Sequence, residues 1–118
     1  AAHGRADWRD KGEKPGTSLA RLRADALDGF GTQLAICNPL YGVLAIYNEH
    51  FAAALARAIN AWLAAEWLDR ESRLRGSITV ATQNPELAVD EIERCAADRI
   101  RAGRIRRRWH GRNSGHTF

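Results

Sequence analysis

No methionine occurs among the 118 residues, and no aspartate or glutamate follows Asp98. The first absence leaves two readings of the start: an initiator trimmed from before Ala1, which small residues permit, or a chain that begins inside a longer protein. The second divides the chain by charge. Arg99 to Phe118 holds seven arginines and no acid (+7), whereas Ala1 to Asp98 holds 11 Lys/Arg against 14 Asp/Glu (−3), which together give the net +4. The sequence pI of about 9.7 therefore describes no uniform surface and belongs to the last 20 residues.

Cysteine is nearly absent as well. Cys37 and Cys95 are too few, and too apolar in context, for a secreted disulfide framework, and both read as buried thiols. No apolar run approaches the roughly 20 residues that span a bilayer. The opening Ala-Ala-His-Gly-Arg-Ala-Asp-Trp has no apolar signal core. A soluble, cytoplasmic protein with no membrane partner is the expectation. At this length, with 45% hydrophobic residues, the chain holds at most one domain's core.

What is present falls into three stretches: a polar, glycine-bearing lead-in over 1–17, expected to be disordered, an ordered segment over 18–98, and the arginine-rich tail over 99–118. Thr17 or Ser18 caps a helix over 18–28 with Leu19, Leu22, Ala26 and Leu27 at helical spacing, and Gly29 stands where a left-handed stop is wanted. Thr32 to Cys37 reads as a strand closed by Asn38-Pro39, because proline pushes its predecessor out of helical geometry and cannot join a central ladder. After a loop, Asn48 caps a long helix reaching Asp69. Phe51, Leu55, Ile59 and Trp62 make one stripe, but Leu63, Trp67 and many alanines widen the apolar surface beyond the usual ~100°, so this helix wants two partners. Asp69 to Arg75 reads as a solvated turn, and Gly76 to Ala81, rich in β-branched residues, as a second strand. Asn84 then caps a helix over 85–97, with Pro85 at its first position, Glu86 near the positive end of the dipole, and Ala88, Val89, Ile92, Cys95 and Ala96 on one apolar face.

Two short strands joined by a long helix imply a parallel βαβ crossover, with both sheet faces covered. The class is α/β, with about two parallel strands and three helices, compatible with an α/β barrel or a doubly wound sheet. So small a parallel sheet has exposed edges and little core, so a piece of something larger is expected.

Several segments taken in order carry a resemblance: Asp28-Gly29-Phe30-Gly31, Asn38-Pro39-Leu40-Tyr41-Gly42, Ala58-Ile59-Asn60-Ala61-Trp62-Leu63, Asp69 through Ile78, and Gln83-Asn84-Pro85-Glu86-Leu87-Ala88. Over roughly Ser18 to Asp98 the chain resembles the amidohydrolase-related family, the second amidohydrolase family of metal-dependent TIM-barrel hydrolases and decarboxylases. The resemblance implies a partial (β/α)8 barrel, since a full one has eight βα units and typically ~250 residues. It also implies a small-molecule substrate and a divalent metal, zinc or manganese, held in the complete family by a His-x-His pair, further histidines and a late aspartate. None of these maps onto His3, His50, His110 or His116, so no metal ligand and no catalytic residue is assigned in this chain, and a fragment inactive by itself is expected.

Barrel enzymes line their active sites with the loops that follow the strand C-termini. Asn38, Tyr41, Thr82 and Gln83 occupy such loops and are the candidate substrate-pocket residues. The competing reading has Asn38 and Thr82 satisfying loop backbone and Tyr41 merely packing. Trp62 and Trp67, on an apolar helix, read as core.

The tail has two readings. Its arginines with Trp109 suit nonspecific binding of nucleic acid through phosphate neutralisation, which makes a nucleic-acid-binding small protein the alternative function. A slip of reading frame in a GC-rich gene also yields arginine, glycine and alanine, and Arg99-Ile100-Arg101-Ala102-Gly103 is a poor next barrel strand. Self-association that covers the open edges is a further expected partner behaviour.

Overall fold

The structure is a computed structural model and describes residues 10–14, 16–40 and 42–101, the last three by backbone alone. Ser18 opens the first helix: its Oγ accepts from the Arg21 N–H at 3.2 Å. Helix α1 (Leu19–Leu22) runs into a π-helical continuation, Arg23–Asp28, whose wider turn shows in the Gly29 N–H donating to the Ala24 carbonyl at 3.0 Å. Gly29 itself is right-handed, with φ −60°. The expected left-handed stop falls instead at Gly31, with φ +63°. A Cβ at Gly29 would lie 3.0 Å from the Asp25 carbonyl oxygen, a tight approach to the backbone of the preceding turn.

Strand β1 (Ala35–Cys37) follows, then a 3-10 turn, Val43–Ala45. Asn48 caps α2 (Glu49–Leu63), its Oδ1 accepting from the Phe51 N–H at 2.9 Å. A second π-helical stretch, Ala64–Leu68, extends α2. Strand β2 (Leu74–Gly76) comes next and α3 (Pro85–Arg101) closes the described chain. Asn84 caps α3 through its Oδ1, which accepts from the Leu87 N–H at 3.1 Å.

The two strands are parallel, with Ala35 opposite Leu74, Ile36 opposite Arg75 and Cys37 opposite Gly76. The class is therefore α/β, as the crossover pattern requires, and the parallel pair matches what a portion of a barrel sheet would show. The position of β2 differs from expectation. Pairing occupies Leu74 to Gly76, inside the stretch read as a solvated turn, and the β-branched run Ile78-Thr79-Val80 lies beyond the ladder.

The main core lies between the sheet and the helices. Leu19, Leu27, Leu63, Trp67, Leu68 and Leu74 form one buried cluster, with Leu22, Ala35 and Cys37 packed against it. Val43, Ala56 and Ile59 form a second beneath the loop after β1. On α2 the buried line is Ala52, Ala56, Ile59, Asn60 and Leu63. The expected stripe holds at Ile59, buried, and at Leu55, partly buried against the second cluster, because the alanines permit close approach there while Phe51 and Trp62 stay 61% and 47% exposed. Trp67 is core, edge-to-face against Trp62 at 6.3 Å. On α3, Ala88 and Cys95 are buried but Val89 and Ile92 are not. Cys37 is only half-buried. Among the described residues, no helix is long and apolar enough to cross a membrane.

Candidate functional site

Adjacent parallel strands begin at one common edge and end at the other, and the two edges here carry different chemistry. At the N-terminal edge, Glu71 is buried. It accepts from Arg23 Nε at 2.8 Å and from Arg73 Nε and Nη2 at 3.0 and 3.1 Å, while Arg73 Nη1 reaches Asp28 Oδ1 at 2.8 Å. Arg23 Nη2 also donates to the Arg70 carbonyl. Hydrogen bonds from the Arg73 guanidinium, then from Arg23 and the Arg73 N–H, hold the Glu71 carboxyl down at about 2. The stretch read as a solvated turn is thus an ion cluster joining the π-helical continuation of α1 to the start of β2. In barrels this face serves stability.

The C-terminal edge is neutral and polar. The Ser77 N–H donates to the Cys37 carbonyl at 3.0 Å, and the Ser77 hydroxyl donates to Asn38 Oδ1. The two residues that leave the sheet are therefore tied to each other directly. Farther along the same loops, Gln83 Nε2 donates to the carbonyls of Val43 and Ile46 at 2.9 and 3.1 Å. Asn84 Nδ2 donates to Glu49 Oε1 at 3.1 Å. The loop after β1 and the loop after β2 are in this way stitched together.

Of the candidate pocket residues, Asn38 stands immediately after β1, exposed, and bonded to Ser77. Thr82 and Gln83 lie in the turn before α3, Thr82 exposed and Gln83 bridging to the other loop. Tyr41 lies outside the described residues. With β2 ending at Gly76, the residue at the strand end is Ser77, which the sequence pattern assigned to a strand interior.

A third cluster braces the loop after β2 from behind. Asn60, buried on α2, donates from Nδ2 to the Thr79 carbonyl at 2.8 Å and accepts at Oδ1 from the Thr79 N–H at 2.8 Å. Its Nδ2 also reaches Glu91 Oε1 at 2.9 Å. Arg94 donates to Glu91 from Nε at 2.8 Å and Nη2 at 2.5 Å, and the Cys95 thiol donates to Oε1 at 3.2 Å. Burial pushes the Glu91 carboxyl up, but bonds from Arg94, Asn60 and Cys95, with the Arg94 charge, outweigh it and hold the group at about 2. Asn60 was legible in one respect: its spacing from Ala52 and Ala56 places it on their face.

Among the described residues no group of three or more His, Cys, Asp and Glu side chains is placed to hold a metal ion. His50 sits exposed in the first turn of α2, 3.7 Å from Glu49 Oε1. His3, His110 and His116, like the tail beyond Arg101, lie outside the described residues. Burial raises the Cys37 thiol, which makes it a poor nucleophile.

Comparison with known proteins bears on the whole arrangement. No curated protein matches the chain. The family model described as amidohydrolase matches residues 1–117, wider than the Ser18 to Asp98 segment that carries the sequence resemblance. A match over nearly the whole chain, on a parallel βαβα unit with linked strand-end loops, identifies the protein: it belongs to the amidohydrolase family, in its amidohydrolase-related branch.

Proposed function

We propose that this chain forms part of the substrate wall of a metal-dependent hydrolase or decarboxylase barrel, and that it is not a catalyst by itself. The carrying observation is the linkage at the C-terminal edge: Asn38 bonded to Ser77, and Gln83 to the Val43 and Ile46 carbonyls. Asn38, Tyr41, Thr82 and Gln83 would face a small-molecule substrate there. Their side chains are neutral hydrogen-bonding groups, suited to orienting a substrate rather than moving its protons.

The buried carboxylates cannot take over that task, because Glu71 and Glu91 are held near 2 and are weak bases at neutral pH. Zinc or manganese, supplying Lewis-acid and water-activating chemistry in the family, would be held by residues other than those described. Exposed Leu34, Ile36 and Leu40 beside the open strand edge favour self-association of the isolated chain.

Metal analysis of the purified chain, with hydrolase and decarboxylase assays after zinc or manganese loading, tests the proposal. Substoichiometric metal and no turnover are expected. One tightly bound ion per chain with turnover would overturn the claim that the chain is inactive alone.

A further inference from the structure

We propose that Ser77 is a positioning residue: its hydroxyl fixes the Asn38 carboxamide so that the Nδ2 hydrogens point away from the sheet edge and donate to an oxygen acceptor of the substrate, a carboxylate or an amide carbonyl. The inference rests on reading the C-terminal edge as the substrate face, and it adds a residue and a polarity to that reading. An unrestrained carboxamide offers a donor end or an acceptor end by rotating about one bond. Here the acceptor end is taken, since Oδ1 receives the Ser77 hydroxyl, and the donor end is what remains to present.

Both sides of the contact are anchored by the backbone. Ser77 is held by its own N–H, bonded to the Cys37 carbonyl at 3.0 Å, so its side chain leaves from the sheet rather than from a free loop. Asn38 precedes Pro39, which confines its backbone to extended geometry. The contact joins two exposed residues, and the parallel pair is already closed by backbone bonds on either side, from Ala35 N–H to the Arg73 carbonyl and from Ser77 N–H to Cys37. Stability therefore gives little reason for the side-chain bond. Preorientation of a donor at a substrate-facing edge does, because a fixed donor loses less freedom when its acceptor arrives.

The test uses the full chain labelled with 15N, following the Asn38 side-chain amide signals during separate titrations with benzoate and benzamide, the two probes distinguishing carboxylate from amide acceptors. At least one probe is expected to shift the Asn38 signals. Ser77→Ala should weaken its apparent affinity about two- to tenfold, the size of one hydrogen bond, while Ser77→Thr restores it. Persisting exchange protection of the residue 77 amide shows that the sheet edge survives the substitution. Where Ser77→Ala loses that protection, Asn38→Asp decides instead, followed at the backbone amide of residue 38 because the side-chain amide is gone: it keeps an acceptor for Ser77 but removes the donor, and must abolish the shift the parent shows at that backbone amide.

A Ser77→Ala chain that titrates like the parent, or an Asn38→Asp chain that still responds, overturns the positioning role. If Thr82 and Gln83 signals respond but Asn38 does not, the substrate face stands and the positioning role falls. If none responds to either probe, both fall.

Discussion

Asn60 grips the peptide unit of Thr79 at both its N–H and its carbonyl, each at 2.8 Å, as a neighbouring strand would. A side chain thus replaces the ladder just where the second strand was expected to continue, and it ties the loop after β2 to the long helix. The loop that carries Thr82 and Gln83 takes its course from this contact.

Replacing Asn60 by alanine leaves the Thr79 peptide without its two partners and takes one donor from Glu91. The expected loss is about 1–3 kcal/mol, and the Thr79 amide should exchange with solvent faster while amides in the middle of α2 keep their protection. Hydrogen exchange followed residue by residue checks this. Unchanged protection at Thr79 would mean that the clamp is not what holds the loop.

Acid should act on the two held carboxylates together. Glu71 and Glu91 titrate at about 2 in the folded chain, below the ~4.3 of an unperturbed glutamate. Their stabilisation is therefore fully present above about pH 4.3, and it is lost as pH falls from there towards 2. Denaturation midpoints measured from pH 6 to pH 2 should drop steeply at the acid end. Glu71→Gln and Glu91→Gln should each lower stability at pH 6 and flatten that drop; parallel curves for parent and variants would contradict the ion clusters.

Leu27 and Ile36 should respond in opposite ways to substitution. Leu27 is 1% exposed inside the main core, and Leu27→Ala is expected to cost about 2–5 kcal/mol. Ile36 is 65% exposed on the uncovered sheet face, so Ile36→Lys should leave helical content unchanged while reducing binding of a hydrophobic dye and concentration-dependent association. Circular dichroism and sedimentation velocity provide the comparison.

The helix starts were legible because their causes are local: Ser18, Asn48 and Asn84 each bond an N–H three residues on. The parallel class was legible too, from the length of the helix between two short apolar segments. The register of β2 was not. Ile78-Thr79-Val80 has strand composition, but pairing is decided by what lies opposite Ala35 to Cys37, and no local pattern reports that. Glu71 read as solvated because its partner Arg23, and the Asp28 that shares Arg73 with it, lie more than 40 residues away in the chain. A separation of 39 residues likewise hid Ser77 as the neighbour of Asn38, and the expected strand over Gly76 to Ala81 placed the loop after β2 too late in the chain.

The most direct measurement is of the hydrogen bonds that set the sheet's C-terminal edge, observed as through-bond couplings between amide nitrogen and carbonyl carbon in labelled protein. Couplings from Ser77 N–H to the Cys37 carbonyl and from Ala35 N–H to the Arg73 carbonyl are predicted, placing Asn38 and Ser77 side by side where the strands end. Couplings from β1 into Ile78 to Val80 would contradict the account, because the strand would then run on past Ser77 and no polar edge would exist there.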